Sequence, residues 1–285
     1  MPRFLLLLLI VIAQKAFAQS VEIGIIAGGS NYKGDLQDQG YNFNQMHLAF
    51  GGSLAYHFTP QISVRGEIWK GNLSGFDAES KNPANRARNL SFNTRIYEAS
   101  LVGVYRFLGQ EPHRVSPYVF GGLAGFRINP YTYDAAGGRY FLFPLSTEGQ
   151  GMAEYPDRSA HKLYQIAIPF GGGLLLSLSD KWSIGLETGL RITFKDYIDD
   201  VSSTYVDQVL LQQQRGDKAV ELSYRGDEIP GGNPLYPKIG IPRGNSKAND
   251  WYYNTILRLQ YRFLGSSSSY NNRKNQHRLE CPTGF

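Results

Sequence analysis

The clearest pattern in the chain is a strict alternation of apolar and polar positions over residues 182–194. One face carries Trp182, Ile184, Leu186, Thr188, Leu190, Ile192 and Phe194, and the other carries Ser183, Gly185, Glu187, Gly189, Arg191 and Thr193. A period of two indicates a β-strand. Residues 165–178 place Ile166, Ile168, Phe170, Leu174 and Leu176 on one face, and residues 179–181 form a short turn. The pattern predicts a hairpin with arms longer than the five or six residues usual in soluble domains.

The same alternation predicts six further strands, at residues 21–29, 45–58, 62–72, 92–107, 116–126 and 251–263. Connections after the first, third, fifth and seventh strands are long, whereas those after the second, fourth and sixth are short. This asymmetry is typical of outer-membrane barrels, which have short periplasmic turns and longer outer loops. We therefore predict an all-β fold, an eight-stranded antiparallel transmembrane β-barrel with long extracellular loops and both mature termini in the periplasm.

The inward faces of the predicted strands carry charge. The set comprises Glu22, Arg65, Glu67, Glu98, Glu187, Arg191 and Arg258. Charges removed from water need partners, and eight strands enclose a space that side chains can fill. A charge network that plugs the lumen is the favoured interpretation, and a conducting pore or proton path is the alternative. A soluble lipocalin-like barrel would have the opposite arrangement, with apolar residues inside and charge outside.

The aromatic residues are expected to form two girdles on the lipid face. In the fifth strand Tyr118, Phe120, Ala124 and Phe126 are assigned outward. The periplasmic girdle would contain Tyr56, Phe58, Tyr105, Phe107, Tyr118, Phe120, Trp182, Tyr261 and Phe263. The outer girdle would contain Phe92, Phe126, Tyr164, Phe194 and Trp251. Such girdles mark the two membrane interfaces of a barrel.

No catalytic, cofactor-binding or metal-binding residues are assigned. Histidines occur at positions 47, 57, 113, 161 and 277, but His47 and His57 lie at opposite ends of one strand, and a hydrolase needs its base beside a nucleophile. Asp196, Asp199, Asp200 and Asp207 could bind Ca²⁺, although helix capping and loop hydrogen bonds explain them better. A helix is predicted over residues 204–215, with Ser202 or Ser203 as its N-cap and Gly216 as its end.

The ends of the chain suggest export. Arg3, a short apolar run and a small-residue ending at residues 16–18 are typical of a signal peptide. The expected organisation is a signal peptide at residues 1–18, the barrel at 19–264 and a periplasmic tail at 265–285. The net charge of +5 comes with no basic stripe for nucleic acid. The single cysteine, Cys281, is either a partner thiol or a spare one.

Three segments together resemble the PorG-like outer-membrane proteins of the Bacteroidota type IX secretion system. They are residues 31–36 (Asn-Tyr-Lys-Gly-Asp-Leu), residues 116–122 (Ser-Pro-Tyr-Val-Phe-Gly-Gly) and residues 194–205, with Asp-Tyr-Ile-Asp-Asp-Val-Ser the most specific part. The resemblance implies a non-enzymatic accessory protein, surrounded by outer-membrane lipid, that contacts the periplasmic ring of the machine through its lipoprotein component. The alternative is a free-standing outer-membrane protein whose loops bind an external ligand or surface.

Overall fold

The chain folds into a closed antiparallel β-barrel. A computed structural model describes residues 20–37, 42, 45–108, 114–158, 160 and 162–263. Its strands are β1 (Ser20–Lys33), β2 (His47–His57), β3 (Ile62–Phe76), β4 (Ser91–Arg106), β5 (Val115–Arg127), β6 (Tyr131–Tyr133), β7 (Arg139–Phe141), β8 (Tyr164–Ser177), β9 (Trp182–Thr193) and β10 (Trp251–Arg262). The short β6–β7 hairpin lies in the loop between β5 and β8, and the other eight strands form the barrel.

Closure follows from the strand pairing. β1 pairs with β2 on one side and with β10 on the other, so that Ile26 stands opposite Gly51 and Arg258. The remaining pairs are β2–β3, β3–β4, β4–β5, β5–β8, β8–β9 and β9–β10, all antiparallel. A closed barrel satisfies every strand from both sides and leaves no edge, which a bilayer requires.

The outer face of the barrel is apolar and the inner face is charged. Leu48, Leu101 and Leu123 have 80, 61 and 65% of their surface exposed. In β9, Leu186 is 51% exposed whereas Glu187 and Arg191 are each 1% exposed. This arrangement is that of a transmembrane barrel, and it confirms the predicted fold class.

Strand five has the opposite orientation to the one predicted. Tyr118, Phe120 and Phe126 point into the barrel and are 4, 6 and 3% exposed, as is Ala124 at 3%. The outward positions are instead Val115, Pro117, Val119, Gly121, Leu123 and Gly125. Both faces of this strand are apolar, so the alternation did not distinguish them. The predicted places of Tyr118 and Phe120 in the periplasmic girdle and of Phe126 in the outer girdle are therefore wrong.

Glycines in β8 make room for the inward rings. A Cβ atom on Gly171 would lie 2.8 Å from Cζ of Phe120, and one on Gly173 would lie 2.8 Å from Cζ of Tyr118. Phe92, which we assigned to the outer girdle, is also inside and fully buried, at 4.8 Å from the ring of Tyr32. Other girdle residues do face outward, among them Phe58, Phe107, Trp182, Phe263, Tyr164 and Phe194.

The long loops fold into a cap at one end of the barrel. Its helices are α1 (Pro83–Arg88), α2 (Gln208–Arg215) and α3 (Asp217–Ser223). The predicted helix ends at Gly216 but begins at Gln208, because Asp207 rather than a serine is the N-cap and accepts a hydrogen bond from Leu210 N–H at 2.9 Å. Within the described part of the chain, none of the helices has the length and apolar content that crossing a membrane demands.

Several predictions lie outside the described residues. They concern the signal peptide at residues 1–18, the turn at residues 109–113, the tail at residues 265–285, His113, His161, His277 and Cys281.

Candidate functional site

The lumen holds three layers of ion pairs, and the first lies near the short-turn end. Glu22 of β1 accepts hydrogen bonds from Arg106 of β4 and Arg262 of β10, each at 3.0 Å. His57 of β2 is 3.0 Å from the same carboxylate. Side chains from three other strands thus contact one buried acid, because each of them falls on the inward face of its strand.

The middle layer is the most highly connected. Arg258 lies 2.6 Å from Glu67 and 3.0 Å from Glu187. Arg65 lies 2.8 Å from Glu187 and 3.4 Å from Glu67. The Tyr118 hydroxyl donates to Glu187 at 2.8 Å. Two arginines and two glutamates therefore balance in charge, which a dry interior requires.

The third layer lies nearest the loops. Arg191 donates to Glu98 through Nε and Nη2, at 3.2 and 3.3 Å, and its Nη1 donates to Asn254. The Tyr252 hydroxyl donates to the same Glu98 carboxylate at 2.8 Å. The guanidinium also stands 5.4 Å above the ring of Trp69, a cation–π geometry.

All seven predicted lumen residues are buried, and each is in one of these layers. Four further residues, Arg106, Arg262, His57 and Tyr118, contact these glutamates but were not in the predicted set. The alternation of inward and outward positions was the signal that identifies Arg106, Arg262 and His57 as lumen residues, because all three occupy inward positions. A cavity among Arg65, Arg106 and neighbouring side chains measures about 10 Å³, at most enough for one water molecule.

An apolar layer covers the charged lumen on the loop side. Its buried residues include Leu36, Leu73, Phe92, Ile96, Phe126, Ile128 and Ile198. The rings of Phe126 and Tyr252 are 5.1 Å apart, edge to face. Apolar side chains from strands and loops meet here, which fixes the loops on the end of the barrel. The charged layers are thereby separated from the water outside the cap.

Above this layer lies an acidic group of loop residues. The Tyr32 hydroxyl oxygen lies within hydrogen-bond distance of both Asp199, at 2.5 Å, and Asp250, at 2.9 Å. Burial raises the pKa of Asp199 well above its usual range, helped by the charge of Asp35. Burial raises the pKa of Asp196 and of Asp200 to about 7. These carboxyls hold protons more tightly than exposed ones do.

A buried ion pair and buried hydrogen bonds hold the loops of the cap together. Arg243 lies 3.0 Å from Glu148, and Glu148 also accepts from the N–H groups of Ser202 and Ser203. Thr147 donates to Asp200 at 2.6 Å. Of the candidate Ca²⁺ ligands, Asp199 and Asp200 are therefore engaged in loop hydrogen bonds and Asp207 in helix capping. In the described ranges, no three His, Cys, Asp or Glu side chains are grouped so as to hold a metal ion.

The two described histidines do not form a hydrolytic site. His57 pairs with Glu22 in the lumen. His47 Nε2 lies 2.7 Å from the Ser74 hydroxyl, but Ser74 is fully buried. A nucleophile must be reachable by its substrate, and this hydroxyl is not.

Comparison with protein families gives one match, which covers most of the chain. The family described as "Domain of unknown function (DUF6089)" matches residues 2–217. No curated protein matches the chain in sequence.

Solved structures with a similar barrel include Ail of Yersinia pestis (13% identity, 87% of this chain and 100% of that one, TM-score 0.41). Two others are the Neisserial surface protein NspA (9% identity, coverage of 85 and 97%, TM-score 0.41) and the N-terminal domain of OprF from Pseudomonas aeruginosa (13%, 86 and 97%, 0.35). At these values no role transfers from them, and the fold assignment rests on the strand pairing described above.

Proposed function

The chain belongs to the DUF6089 family of domains of unknown function, and we propose that it is a non-enzymatic outer-membrane protein that anchors the type IX secretion machinery. The observation that carries this proposal is the filled lumen. Glu22, Glu67, Glu98 and Glu187 are each held by arginine inside the barrel. A barrel plugged in this way is a poor conduit for protein cargo and a rigid fixed point in the membrane. The link to this secretion system rests on the resemblance of residues 31–36, 116–122 and 194–205 to PorG-like proteins.

The end with short turns is the face that a periplasmic ring would contact. Two of its turns are tight, with Phe58 N–H donating to Ile62 at 3.0 Å and Ser179 N–H donating to Trp182 at 3.1 Å. Such turns offer only a few side chains, among them Gln61, Asp180 and Lys181, which are exposed. We propose that the tail, residues 265–285 with Cys281, supplies the rest of the contact with the lipoprotein component of the ring.

Deletion of the tail tests this proposal. We expect a chain ending at residue 264 to assemble in the outer membrane, because the described barrel closes without the tail, and to lose co-purification with ring proteins. Crosslinking in isolated outer membranes identifies the neighbours. The matched control is Cys281→Ser, which separates a thiol link from contacts by the rest of the tail. Unchanged co-purification after deletion would refute the role of the tail.

A specific observation favours a second candidate, a barrel whose cap binds something outside the cell. Val209, Leu235, Ile239 and Ile241 of the last long loop are 58, 72, 60 and 49% exposed. Exposed apolar patches mark interaction surfaces, and three of these four residues lie within seven positions of the chain. Deletion of the gene distinguishes the two roles, because the anchor predicts loss of secreted cargo and a surface receptor predicts normal secretion. Changing Leu235 and Ile239 to serine is then expected to affect surface binding alone.

A further inference from the structure

A row of alternating aromatic and basic side chains crosses the lipid face of the barrel. Successive strand pairs place the row in register, with Phe50 opposite Lys70, Lys70 opposite Tyr97, Tyr97 opposite Arg127 and Arg127 opposite Tyr164. All five side chains point outward and are exposed. The ammonium of Lys70 lies 4.5 Å from the Phe50 ring, and the guanidinium of Arg127 lies 5.7 Å from the Tyr164 ring.

The charge on the lipid face is of one sign. Among the outward-facing positions of the eight described barrel strands, the ionisable acids are absent and the cations are Lys33, Lys70, Arg95 and Arg127. Lys33 and Arg127 are the last residues of their strands at the loop end. Basic residues placed where the hydrocarbon meets the headgroups attract anionic lipids. The position therefore suits a negatively charged headgroup.

A groove lies on the lipid face directly beside this row, on the side away from the loops. The next register row combines three isoleucines with three small residues, in the order Ile25, Gly52, Ile68, Ala99, Gly125 and Ile166. These residues and the row above line a groove of about 1010 Å³. A Cβ atom on Gly125 would have nothing within 4 Å, so the missing side chains leave open space. A groove of this kind on a lipid-facing wall suits an acyl chain.

We propose that the row and the groove together form a binding site for an anionic, phosphate-bearing lipid. Its phosphate lies between Lys70 and Arg127, which stand on strands two apart, about 10 Å between backbones. Arg127 matches the phosphate with its planar donors, and Lys70 acts as a point charge. One acyl chain runs along the groove over Gly52, Ala99 and Gly125. The lipid belongs to the leaflet next to the long loops.

Native mass spectrometry of the purified full chain tests this site. Micelles are loaded with dioleoylphosphatidylglycerol or dioleoylphosphatidylcholine, which share acyl chains and phosphate but differ in net charge. We expect preferential retention of the anionic lipid. Replacing Lys70 and Arg127 by glutamine lowers its affinity about fivefold for each cation, the equivalent of about 1 kcal/mol each. The double variant Lys195→Gln/Lys247→Gln removes two exposed cations of the loops, outside the row and the groove, and leaves retention unchanged.

The groove is tested without changing charge. Gly125→Leu fills open space and lowers retention of the anionic lipid, whereas Gly121→Leu, on the same face of the same strand but outside the groove, leaves it unchanged. Inorganic phosphate does not displace the lipid if the acyl chain contributes to binding. Equal retention of the two lipids, or equal loss in both charge variants, overturns the site. Normal retention by Gly125→Leu overturns the acyl part, and this variant stays informative if a charge variant fails to fold.

Discussion

Replacing Arg191 by methionine tests the contribution of one lumen arginine and its ion pair with Glu98 to the stability of the barrel. Arg191 and Glu98 are 1 and 3% exposed, and their contacts of 3.2 and 3.3 Å form the outer layer of the plug. In the variant the Glu98 carboxylate keeps the Tyr252 hydroxyl at 2.8 Å but loses its cation. Methionine matches the aliphatic part of the arginine side chain but lacks the guanidinium group, so the change removes the charge and its hydrogen bonds and leaves a small cavity.

The expected loss of unfolding free energy comes from the Glu98 carboxylate, which stays buried without its cation. Removing one partner of a buried ion pair costs about 3–5 kcal/mol, because the remaining ion stays desolvated. Replacing both partners by neutral groups is often close to neutral. We therefore expect Arg191→Met to destabilise the barrel by about 3–5 kcal/mol. Adding Glu98→Gln should recover at least about 2 kcal/mol of this loss, since the amide can still accept from Tyr252.

Reversible urea unfolding in phospholipid vesicles, followed by far-ultraviolet circular dichroism, measures these differences. The single variant Glu98→Gln is the control that leaves Arg191 unpaired instead, and it should also be destabilised. The reasoning is refuted if Arg191→Met unfolds within about 1 kcal/mol of the wild type, the value of an exposed pair. It is equally refuted if the double variant is no more stable than Arg191→Met.

Three further predictions concern the wall, the lumen and the cap. Gly173→Leu should prevent the barrel from reaching its compact, heat-modifiable form on gels, because its Cβ would lie 2.8 Å from the Tyr118 ring, whereas Gly121→Leu should not. The wild-type barrel should show no steady conductance in planar bilayers, and a steady current would contradict a filled lumen. The cap should be more stable at pH 5 than at pH 8, because the folded pKa of Asp196 and of Asp200 is raised from 3.8 to about 7. The stabilisation from their protonation is complete below about pH 4, decreases as the pH rises, and is lost above about pH 7. Limited proteolysis of residues 195–249 measures this dependence, and Asp200→Asn should reduce it.

The sequence by itself determined which residues face lipid and which face the lumen wherever the two faces differ in polarity. In β9 apolar and polar positions alternate, with Leu186 on the outer face and Glu187 on the inner face. A strand with one apolar and one charged face has a single stable orientation in a bilayer. The same logic placed Glu22, Arg65 and Arg258 inside. The same alternation predicted the eight strands, and the asymmetry of their connections indicated an outer-membrane barrel with short turns at one end.

Strand five shows where the pattern alone fails. Tyr118 and Phe120 on one face and Val119 and Leu123 on the other are all apolar enough to meet lipid. The choice was made by neighbours far along the chain, since Gly171 and Gly173 leave space inside the barrel and Glu187 accepts the Tyr118 hydroxyl. Space and a hydrogen-bond acceptor are properties of the assembled barrel.

Only the tertiary structure decided which groups meet. Arg258 contacts Glu67 and Glu187 because the register of β10 against β9 and the closure of the barrel bring three strands to one level. The Tyr32 hydroxyl and Asp199 are 167 residues apart in sequence and 2.5 Å apart in space. The alternation along a strand assigns each side chain to the inner or the outer face. Its height along the barrel axis depends on strand stagger and loop packing, which only the complete set of long-range pairings determines.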